Sequence, residues 1–283
     1  MQTMDHLFRL RQFTVQSFGG KAGFGCVLCM LALAMNGSIA AEEATKSEEK
    51  KPPQILVGMP LGFVKGETNR MVLRGLNLET VDKVSTAGNL GSVQIVLINK
   101  GKSDPPKNEA KEEVGDTQLR IEVFPPLEFE GCELEIQVQD TEGAISKWIA
   151  PVFSGDVLLI EREANDHLKH AKKIPTEAVV LGCIQTPKDV DVYEFYAVAG
   201  HSVILEVNAA RYGSPMDPLL MLYDESAHVL KVDDDSGGKR DARMTWTPTL
   251  GGFYRAAVLD ANDKGGAMHG YIFSVRPTAE IHP

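Results

Sequence analysis

Short runs in which apolar and polar residues alternate, separated by glycine-containing turns, dominate this sequence beyond residue 53. In the run ELEIQVQ, for example, Leu134, Ile136 and Val138 occupy every second position. A period of two residues places such side chains on one face of a β-strand. No comparably long run has the period of an amphipathic helix. The pattern therefore predicts an all-β protein.

The predicted strands form two groups, which indicates two β-sandwich domains. Seven runs lie within residues 54–153 and predict the first sandwich. A second group within residues 154–283 predicts another sandwich of roughly eight strands. The polar segment Gly101–Asp116 of the first group is expected to form a mobile loop. Only the stretch Asn165–Lys173 is expected to form a helical turn.

Residues 1–41 have the composition of an export signal peptide. Basic residues precede the apolar stretch Ala22–Met35, and small residues follow it before an expected cleavage after Ala40 or Ala41. The apolar stretch is too short to span a bilayer comfortably, but an uncleaved membrane anchor is the alternative. Residues 42–53 are charged and end in prolines, which predicts a disordered linker. We therefore expect an exported protein that is periplasmic, on the cell surface or secreted.

The chain is acidic, which excludes one class of partner. Residues 1–41 carry three of the 29 Lys and Arg residues and one of the 39 Asp and Glu residues, so the remainder has a formal charge of −12. Nucleic-acid binding needs clustered cations, and we expect none here. The remainder keeps only two cysteines, Cys132 and Cys183. Because they fall in different predicted domains, we expect two separate thiols.

A dense acidic segment opens the second predicted domain. Glu161, Glu163, Asn165 and Asp166 lie within six residues, directly after the apolar run DVLLI. Carboxylate and amide oxygens are the ligands of hard cations. A solvated turn has the same composition. The segment alone leaves both interpretations open.

Several motifs follow one another in order along the second domain. They are EREANDHLKHAKKIP, VVLGCIQTPKDVDVYEFYAVAGHSVILEV, ARYGSPMDPLLMLYDESAHVLKVDDDSGG, LGGFYRAAVLDA and YIFSVRP. In these motifs the domain resembles the bacterial pre-peptidase C-terminal domain. The resemblance implies a jelly-roll-like β-sandwich of the kind appended to many exported proteins. Ala164 departs from the pattern, since many members have proline there.

The first domain is similar to the IPT/TIG immunoglobulin-like modules. The segments PQILVGMPLGFVKGETNRMVLRGLNL and EGAISKWIAPVF match their opening and their final strand. This similarity implies an immunoglobulin-like sandwich. The insertion Gly101–Asp116 departs from the compact pattern of these modules.

The resemblance of the second domain also implies a calcium site. In collagen-binding members of the superfamily, an opening acidic segment binds calcium together with aspartates of a later strand. The corresponding metal ligands here are Glu161, Glu163, Asn165, Asp166, Asp189 and Asp191. The chemistry agrees, because Ca²⁺ takes six to eight hard oxygens and facing carboxylates repel one another without a cation between them. The alternative, that all six side chains face water, stays open.

Two other clusters have simpler interpretations. The acidic residues of DDDSGGKRD, at 233–241, lie between strands and beside glycines, which favours a tight turn. In a helix, His167, His170 and Glu163 would share a face and suggest zinc. Pro175 and the acidic opening limit any helix there to two turns, which argues against a zinc site.

No motif of a catalytic apparatus stands out in the sequence. It has no His-Glu-x-x-His pair, no Gly-x-Ser-x-Gly elbow and no glycine-rich phosphate loop between a strand and a helix. We therefore expect a protein that is not an enzyme. Exposed aromatic residues on a sandwich would suit a polymeric ligand, whereas Trp246, inside an alternating strand, is expected to pack in the core.

The expected function is that of an exported, non-catalytic binding protein. It would attach to, or organise, an extracellular or cell-envelope polymer or protein, and calcium would stabilise the entrance to its second domain. The alternative is a non-catalytic accessory component of a secreted peptidase or hydrolase system, since such domains often accompany peptidases. A third interpretation is an anchored envelope protein. A membrane would be a partner only if the N-terminal segment is uncleaved.

Overall fold

The structure is a computed structural model, and it describes residues 51–87, 92–155, 158–236, 238 and 240–278. All of these lie in one compact unit, Glu49–Pro283. The expected signal peptide and most of the expected linker lie outside the described residues. Among the described residues, no helix has the length and apolar character needed to cross a membrane.

Among the described residues, eight strands and one short helix form the first sandwich. One sheet has the order β1-β3-β6-β5 and the other the order β2-β8-β7-β4. The elements are β1 (Gln54–Met59), β2 (Phe63–Val64), β3 (Asn69–Leu76), β4 (Val81–Thr86), β5 (Gln94–Lys102), α1 (Lys111–Val114), β6 (Thr117–Phe124), β7 (Glu133–Asp140) and β8 (Ile145–Phe153). The alternating residues Leu134, Ile136 and Val138 are fully buried between the sheets, as their period predicts.

In the described part of residues 158–278, ten strands form the second sandwich. Its sheets have the orders β10-β12-β17-β14-β15 and β16-β13-β18-β11-β9. The strands are β9 (Leu158–Ile160), β10 (Lys172–Lys173), β11 (Val179–Cys183), β12 (Val190–Ala197), β13 (Val203–Asn208), β14 (Pro218–Tyr223), β15 (Val229–Asp233), β16 (Ala242–Trp246), β17 (Gly252–Asp260) and β18 (Gly270–Pro277). The all-β architecture confirms the predicted fold class.

Three single turns of 3-10 helix complete the described secondary structure, at Leu78–Thr80, Leu168–His170 and Ala210–Tyr212. The second of them falls inside the stretch for which a helical turn was expected. Trp246 is partly buried and packs against the core of the second sandwich, where its ring lies edge-on to Tyr254 at 4.5 Å.

The two sandwiches share apolar contacts. Leu181 of β11 and Ile272 of β18 point away from the core of the second sandwich and are buried in the core of the first. Across the same junction, the indole N–H of Trp148 donates a hydrogen bond of 2.7 Å to the carbonyl oxygen of Tyr212. The outer face of the sheet β16-β13-β18-β11-β9 is therefore partly covered by the first sandwich.

The expectation that Gly101–Asp116 is a mobile loop was wrong. The buried Arg74 side chain donates to the carbonyl oxygens of Ser103, Asp104 and Gly115 at 2.8–3.1 Å and so ties both ends of the segment together. Its middle contains α1. A polar composition indicated mobility, but here the polar groups bond to one another and to the second sandwich.

One buried carboxylate attaches this insertion to the second sandwich. The side chain of Glu109 is fully buried, and its Oε1 accepts from the backbone N–H of Met268 and lies 3.3 Å from Nδ1 of His269. Nearby, the ammonium of Lys264 lies 2.7 Å from the carboxylate of Glu113. These contacts add polar links to the apolar junction between the sandwiches.

Candidate metal centre

The acidic opening of the second sandwich is held between its two sheets. β9 runs parallel to β11, and the N–H of Glu161 continues that pairing by donating to the carbonyl oxygen of Leu181 at 2.9 Å. Four residues later, the carbonyl oxygen of Asn165 accepts from the N–H of Val192 in β12 at 3.0 Å. The segment therefore crosses from one sheet to the other, and its side chains meet those at the start of β12.

The structure brings the six predicted ligand residues together in what we call the acidic centre: Glu161, Glu163, Asn165, Asp166, Asp189 and Asp191. One carboxylate oxygen from each of Glu161, Glu163 and Asp191 lies within 4.8 Å of the others, and the same holds for Glu163, Asp166 and Asp189. Glu163 belongs to both groups, so the five carboxylates form one continuous cluster.

Asp191 is the deepest member of the acidic centre. Its side chain is fully buried, and its Oδ1 accepts from the amide nitrogen of Asn165 at 2.9 Å. Its Oδ2 accepts from the hydroxyl of Tyr271 at 2.6 Å, and that hydroxyl lies 2.6 Å from the hydroxyl of Tyr193. A buried hydrogen-bonded chain therefore connects the acidic centre to the core of the second sandwich.

The crowding of carboxylates disfavours their charged forms. Burial, reinforced by the negative charges of Glu161 and Asp189, raises the pKa of Asp191 to about 8, despite the hydrogen bond from Tyr271. Burial also raises the pKa of Glu163 to about 7, helped by a hydrogen bond with Asp166 and by neighbouring charges. Burial and the negative charge of Asp189 raise the pKa of Glu161. Without a cation, these groups retain protons that ordinary carboxyl groups lose.

Two oxygens of the acidic centre have no hydrogen-bond partner although they are buried. They are Oε1 of Glu161 and Oδ1 of Asn165. Buried polar atoms are nearly always satisfied in folded proteins, so an orphaned oxygen needs an explanation. A bound cation coordinated by these oxygens would supply one, because it satisfies acceptors and neutralises the carboxylates together.

The sequence analysis missed Tyr193 and Tyr271, which are hydrogen-bonded to each other beside the acidic centre, where Tyr271 also donates to Asp191. In β12, Asp191, Tyr193 and Phe195 are buried on the inward face, whereas Val190 and Val192 point to the opposite side. The two-residue period therefore carried a signal that Asp191 is an inward-facing acid. The role of Tyr271 had no such signal, since β18 is distant in sequence.

The remaining candidate clusters are structural in the part of the chain that the structure describes. Asp241 is fully buried and accepts from the N–H groups of Ala209 and Ala210, both at 2.8 Å, and from Arg211. Asp233 accepts from two backbone N–H groups of its own turn region. These bonds agree with the turn interpretation of the acidic residues at 233–241.

Among the described residues, no histidine or cysteine offers a ligand to the acidic centre. Nδ1 of His167 accepts from the N–H of Lys169 within a single 3-10 turn, and none of the potential metal-binding groups among the described residues includes a histidine. Cys132 and Cys183 are separate free thiols, as predicted. Burial raises the pKa of Cys183 to about 12, so this thiol is unreactive near neutral pH.

An exposed aromatic pair lies on the outer face of the sheet β10-β12-β17-β14-β15 in the second sandwich. Tyr196 of β12 and Phe253 of β17 are each about half exposed, and their ring centres are 5.4 Å apart in an edge-to-face arrangement. The ammonium of Lys173 lies 5.4 Å from the centre of the Phe253 ring. We call these three residues the aromatic platform.

Comparisons with known proteins find only solved structures of low similarity. No protein-family model matches the sequence, and no curated protein sequence matches it either. A solved pre-peptidase C-terminal domain of a collagenase from Bacillus anthracis is similar at 15% identity and a TM-score of 0.32, over 41% of this chain and 99% of that one. The solved structure of Bacteroides ovatus SGBP-B, from a mixed-linkage glucan utilization locus, is similar at 11% identity and a TM-score of 0.26, over 73% of each chain.

A secreted serine protease from Vibrio cholerae, VesC, is a further similar structure, at 8% identity and a TM-score of 0.28, over 77% of this chain and 49% of that one. At such values the likeness carries no argument about architecture, and no residue is assigned a role through it. The similarity of the first sandwich to IPT/TIG modules stays a prediction.

Proposed function

We propose that this chain is an exported, non-catalytic binding protein, stabilised by calcium, that attaches to an extracellular or cell-envelope polymer. The observation that carries the proposal is the acidic centre, where five carboxylates converge and two buried oxygens lack partners. A site of this kind at the entrance to a sandwich rigidifies a binding domain and needs no part in chemistry.

The composition of the acidic centre favours calcium over other cations. Its donors are carboxylate and amide oxygens, and soft metals prefer the sulfur and imidazole ligands that the centre lacks. The cluster offers enough oxygens for the six to eight that Ca²⁺ takes, in a flexible arrangement. Mg²⁺ demands near-octahedral geometry and usually keeps several waters, which suits a crowded all-protein cluster less well.

A cation in the acidic centre would link the two sheets of the second sandwich. Glu161 extends the pairing of β9 with β11, whereas Asp191 belongs to β12 of the opposite sheet. Calcium would thus crosslink the sandwich at one end, as a structural metal does. This arrangement supports a stabilising role.

The aromatic platform supports the attachment role. Aromatic side chains are usually buried, and an exposed pair beside a cation is a common feature of binding surfaces. Sugar rings and the side chains of fibrous proteins both pack on such rings. The platform lies on the opposite sheet from the junction between the sandwiches, so a long polymer can reach it.

Calcium is expected to raise the thermal unfolding midpoint of the full chain. At a concentration 100 times the dissociation constant, a ligand that binds only the folded state stabilises it by about 2.7 kcal/mol, which is roughly 5–10 °C for a unit of this size. The unfolding midpoint is measured in EDTA, in calcium and in magnesium, and the three values are compared. Glu163→Ala should abolish the shift, whereas the exposed Glu128→Ala should keep it. Equal midpoints in EDTA and calcium would reject the metal site.

The full chain is expected to co-sediment with an insoluble extracellular polymer in calcium. The panel comprises cellulose, chitin, peptidoglycan and collagen fibrils. Phe253→Ala and Tyr196→Ala should each lower the retained fraction several-fold, because stacking on the aromatic platform is lost. Ile149→Ala removes an exposed apolar side chain of the first sandwich and serves as the control. No retention on any polymer would contradict the attachment role.

A further inference from the structure

An open cleft lies where the two sandwiches meet. Its volume is about 200 Å³. Pro151 and Phe153 of β8 line it from the first sandwich, and residues of β11, β13 and β18 line it from the second. Ligand sites occur preferentially at junctions between domains. We call this space the junction cleft.

One wall of the junction cleft is a polar array on the face of a sheet. Glu206 and Asn208 of β13 lie two residues apart, and Ser274 and Arg276 of β18 lie beside them in the antiparallel register, with Glu206 paired to Ser274. The guanidinium of Arg276 lies 2.7 Å from the carboxylate of Glu206, which is nearly buried. A carboxylate, a carboxamide, a hydroxyl and a guanidinium thus line one small surface.

Asn208 provides an independent sign that a ligand is missing. It is half-buried, and its carboxamide oxygen is shielded from water without a hydrogen-bond partner. An acceptor in this state destabilises the free protein until a donor reaches it. A ligand that brings an O–H or N–H group to the carboxamide of Asn208 would remove that penalty on binding.

The lining of the junction cleft also includes aromatic side chains. Phe153 and Tyr212 are both half-buried, so part of each ring faces the cleft. Tyr212 is fixed in place from two sides. Its hydroxyl donates to Glu133 at 3.1 Å, and its carbonyl oxygen accepts from the indole of Trp148. The cleft therefore combines aromatic rings with polar side chains in one lining.

We propose that the junction cleft binds one neutral pyranose unit of a saccharide. A sugar ring has an apolar C–H face that packs on aromatic rings, and a rim of hydroxyl groups that donate and accept hydrogen bonds at the same time. Hydroxyls therefore match both the unsatisfied acceptor of Asn208 and the donors of Arg276. The inference rests on the proposed attachment function and specifies a polysaccharide as the polymer.

An extended peptide fits the junction cleft less well. Peptides that join a sheet bond to the free backbone groups of an edge strand. Here the polar side chains stand on β13 and β18, whose backbone groups are already paired with neighbouring strands on both sides. A peptide would have only side chains to bond to, and its regularly spaced N–H and C=O groups would not match them.

Charge and size restrict the saccharide further. The positive charge of Arg276 is offset by Glu206, and Glu177 adds a negative charge to the lining. Because the chain is also strongly acidic, an anionic sugar would be repelled. The cleft is smaller than the pockets of about 300–1,000 Å³ that enclose drug-sized molecules. Its openness to solvent lets the rest of a polysaccharide continue outside.

The test is a titration of the full chain with neutral disaccharides in calcium, with cellobiose, laminaribiose, chitobiose and maltose as probes. Tryptophan fluorescence reports on the cleft, because Trp148 bonds to the backbone of Tyr212. Saturable binding of at least one disaccharide is expected. Asn208→Ala should raise its dissociation constant about tenfold, equivalent to about 1.4 kcal/mol. Glu128→Ala changes an exposed residue that does not line the cleft, and it should leave the dissociation constant unchanged within twofold.

Two further measurements complete the test. Ser274→Ala is a second, smaller change in the same wall and should weaken binding in the same direction, and circular dichroism verifies that each variant is folded. A glycine–alanine peptide and glucuronic acid serve as competing ligand classes. Binding of either in place of the disaccharides, no disaccharide binding, or equal affinity of wild type and Asn208→Ala would each overturn the proposal.

Failure of the cleft proposal and failure of the proposed function give different results. If the full chain co-sediments with a polysaccharide but binds no disaccharide, the cleft proposal is rejected and the attachment function is supported. If the chain co-sediments with collagen alone, the saccharide proposal falls and a protein is the polymer. If no polymer retains the chain, both fall.

Discussion

Replacement of Trp148 by alanine is expected to lower the free energy of unfolding by about 3–5 kcal/mol, the usual range for removing a large aromatic side chain from a core. Trp148 is only 6% exposed and lies edge-on to Phe63 with ring centres 6.1 Å apart. Its ring also fills the space beside Gly58, where even one added carbon would clash with the indole. Alanine would therefore leave a cavity beside Gly58 and Phe63.

The loss of stability in Trp148→Ala has a second cause. Its indole N–H bonds to the carbonyl oxygen of Tyr212, so alanine also removes a contact between the sandwiches. Urea unfolding of the full chain measures the effect. Trp148→Phe keeps most of the packing but lacks the N–H donor, and it should fall between wild type and alanine. A loss below about 1 kcal/mol in Trp148→Ala would contradict the packing described here.

In EDTA, the free energy of unfolding is expected to fall by roughly 3 kcal/mol as the pH rises from about 5 to about 8. The pKa of Asp191 is raised from an ordinary 3.8 to about 8 in the folded chain. Between these values the folded state holds a proton that the unfolded state has released. Each rise in pH then favours unfolding, and the penalty is complete only above pH 8.

The same experiment includes its own controls. Asp191→Asn removes the titrating group and should flatten the dependence of stability on pH, leaving the smaller contribution of Glu163, whose pKa is raised to about 7. Saturating calcium should also remove the decline, because the cation takes the place of the protons. A wild-type chain that is equally stable in EDTA at both pH values would show that the carboxylates of the acidic centre are not crowded in solution.

The strands were predictable because their signal is local. Alternation along a single run decides which side chains face the core, and β7 and β13 follow this rule residue by residue. The insertion Gly101–Asp116 was not predictable, because its order depends on Arg74 and on the second sandwich, both distant in sequence. Local composition cannot distinguish a polar segment bonded to distant groups from one bonded to water.

The sequence predicted which residues come together in the acidic centre, but not how deeply they are buried. Glu161 to Asp166 are neighbours in the sequence, and the later aspartates were added through a family resemblance. The sequence could not show that Asp191 is fully buried, or that Tyr271 donates to it from another strand. Those facts depend on how the sheets pack, and they determine the raised pKa of Asp191.

The apolar junction also bears on how such a protein can be rearranged. Leu181 and Ile272 belong to strands of the second sandwich but are buried among core residues of the first. A fusion protein that contains residues 154–283 alone would expose these side chains to water as an apolar patch prone to aggregation. A fusion protein that keeps both sandwiches avoids that exposure. The two sandwiches together, rather than either one alone, are therefore the unit that can be moved into another protein.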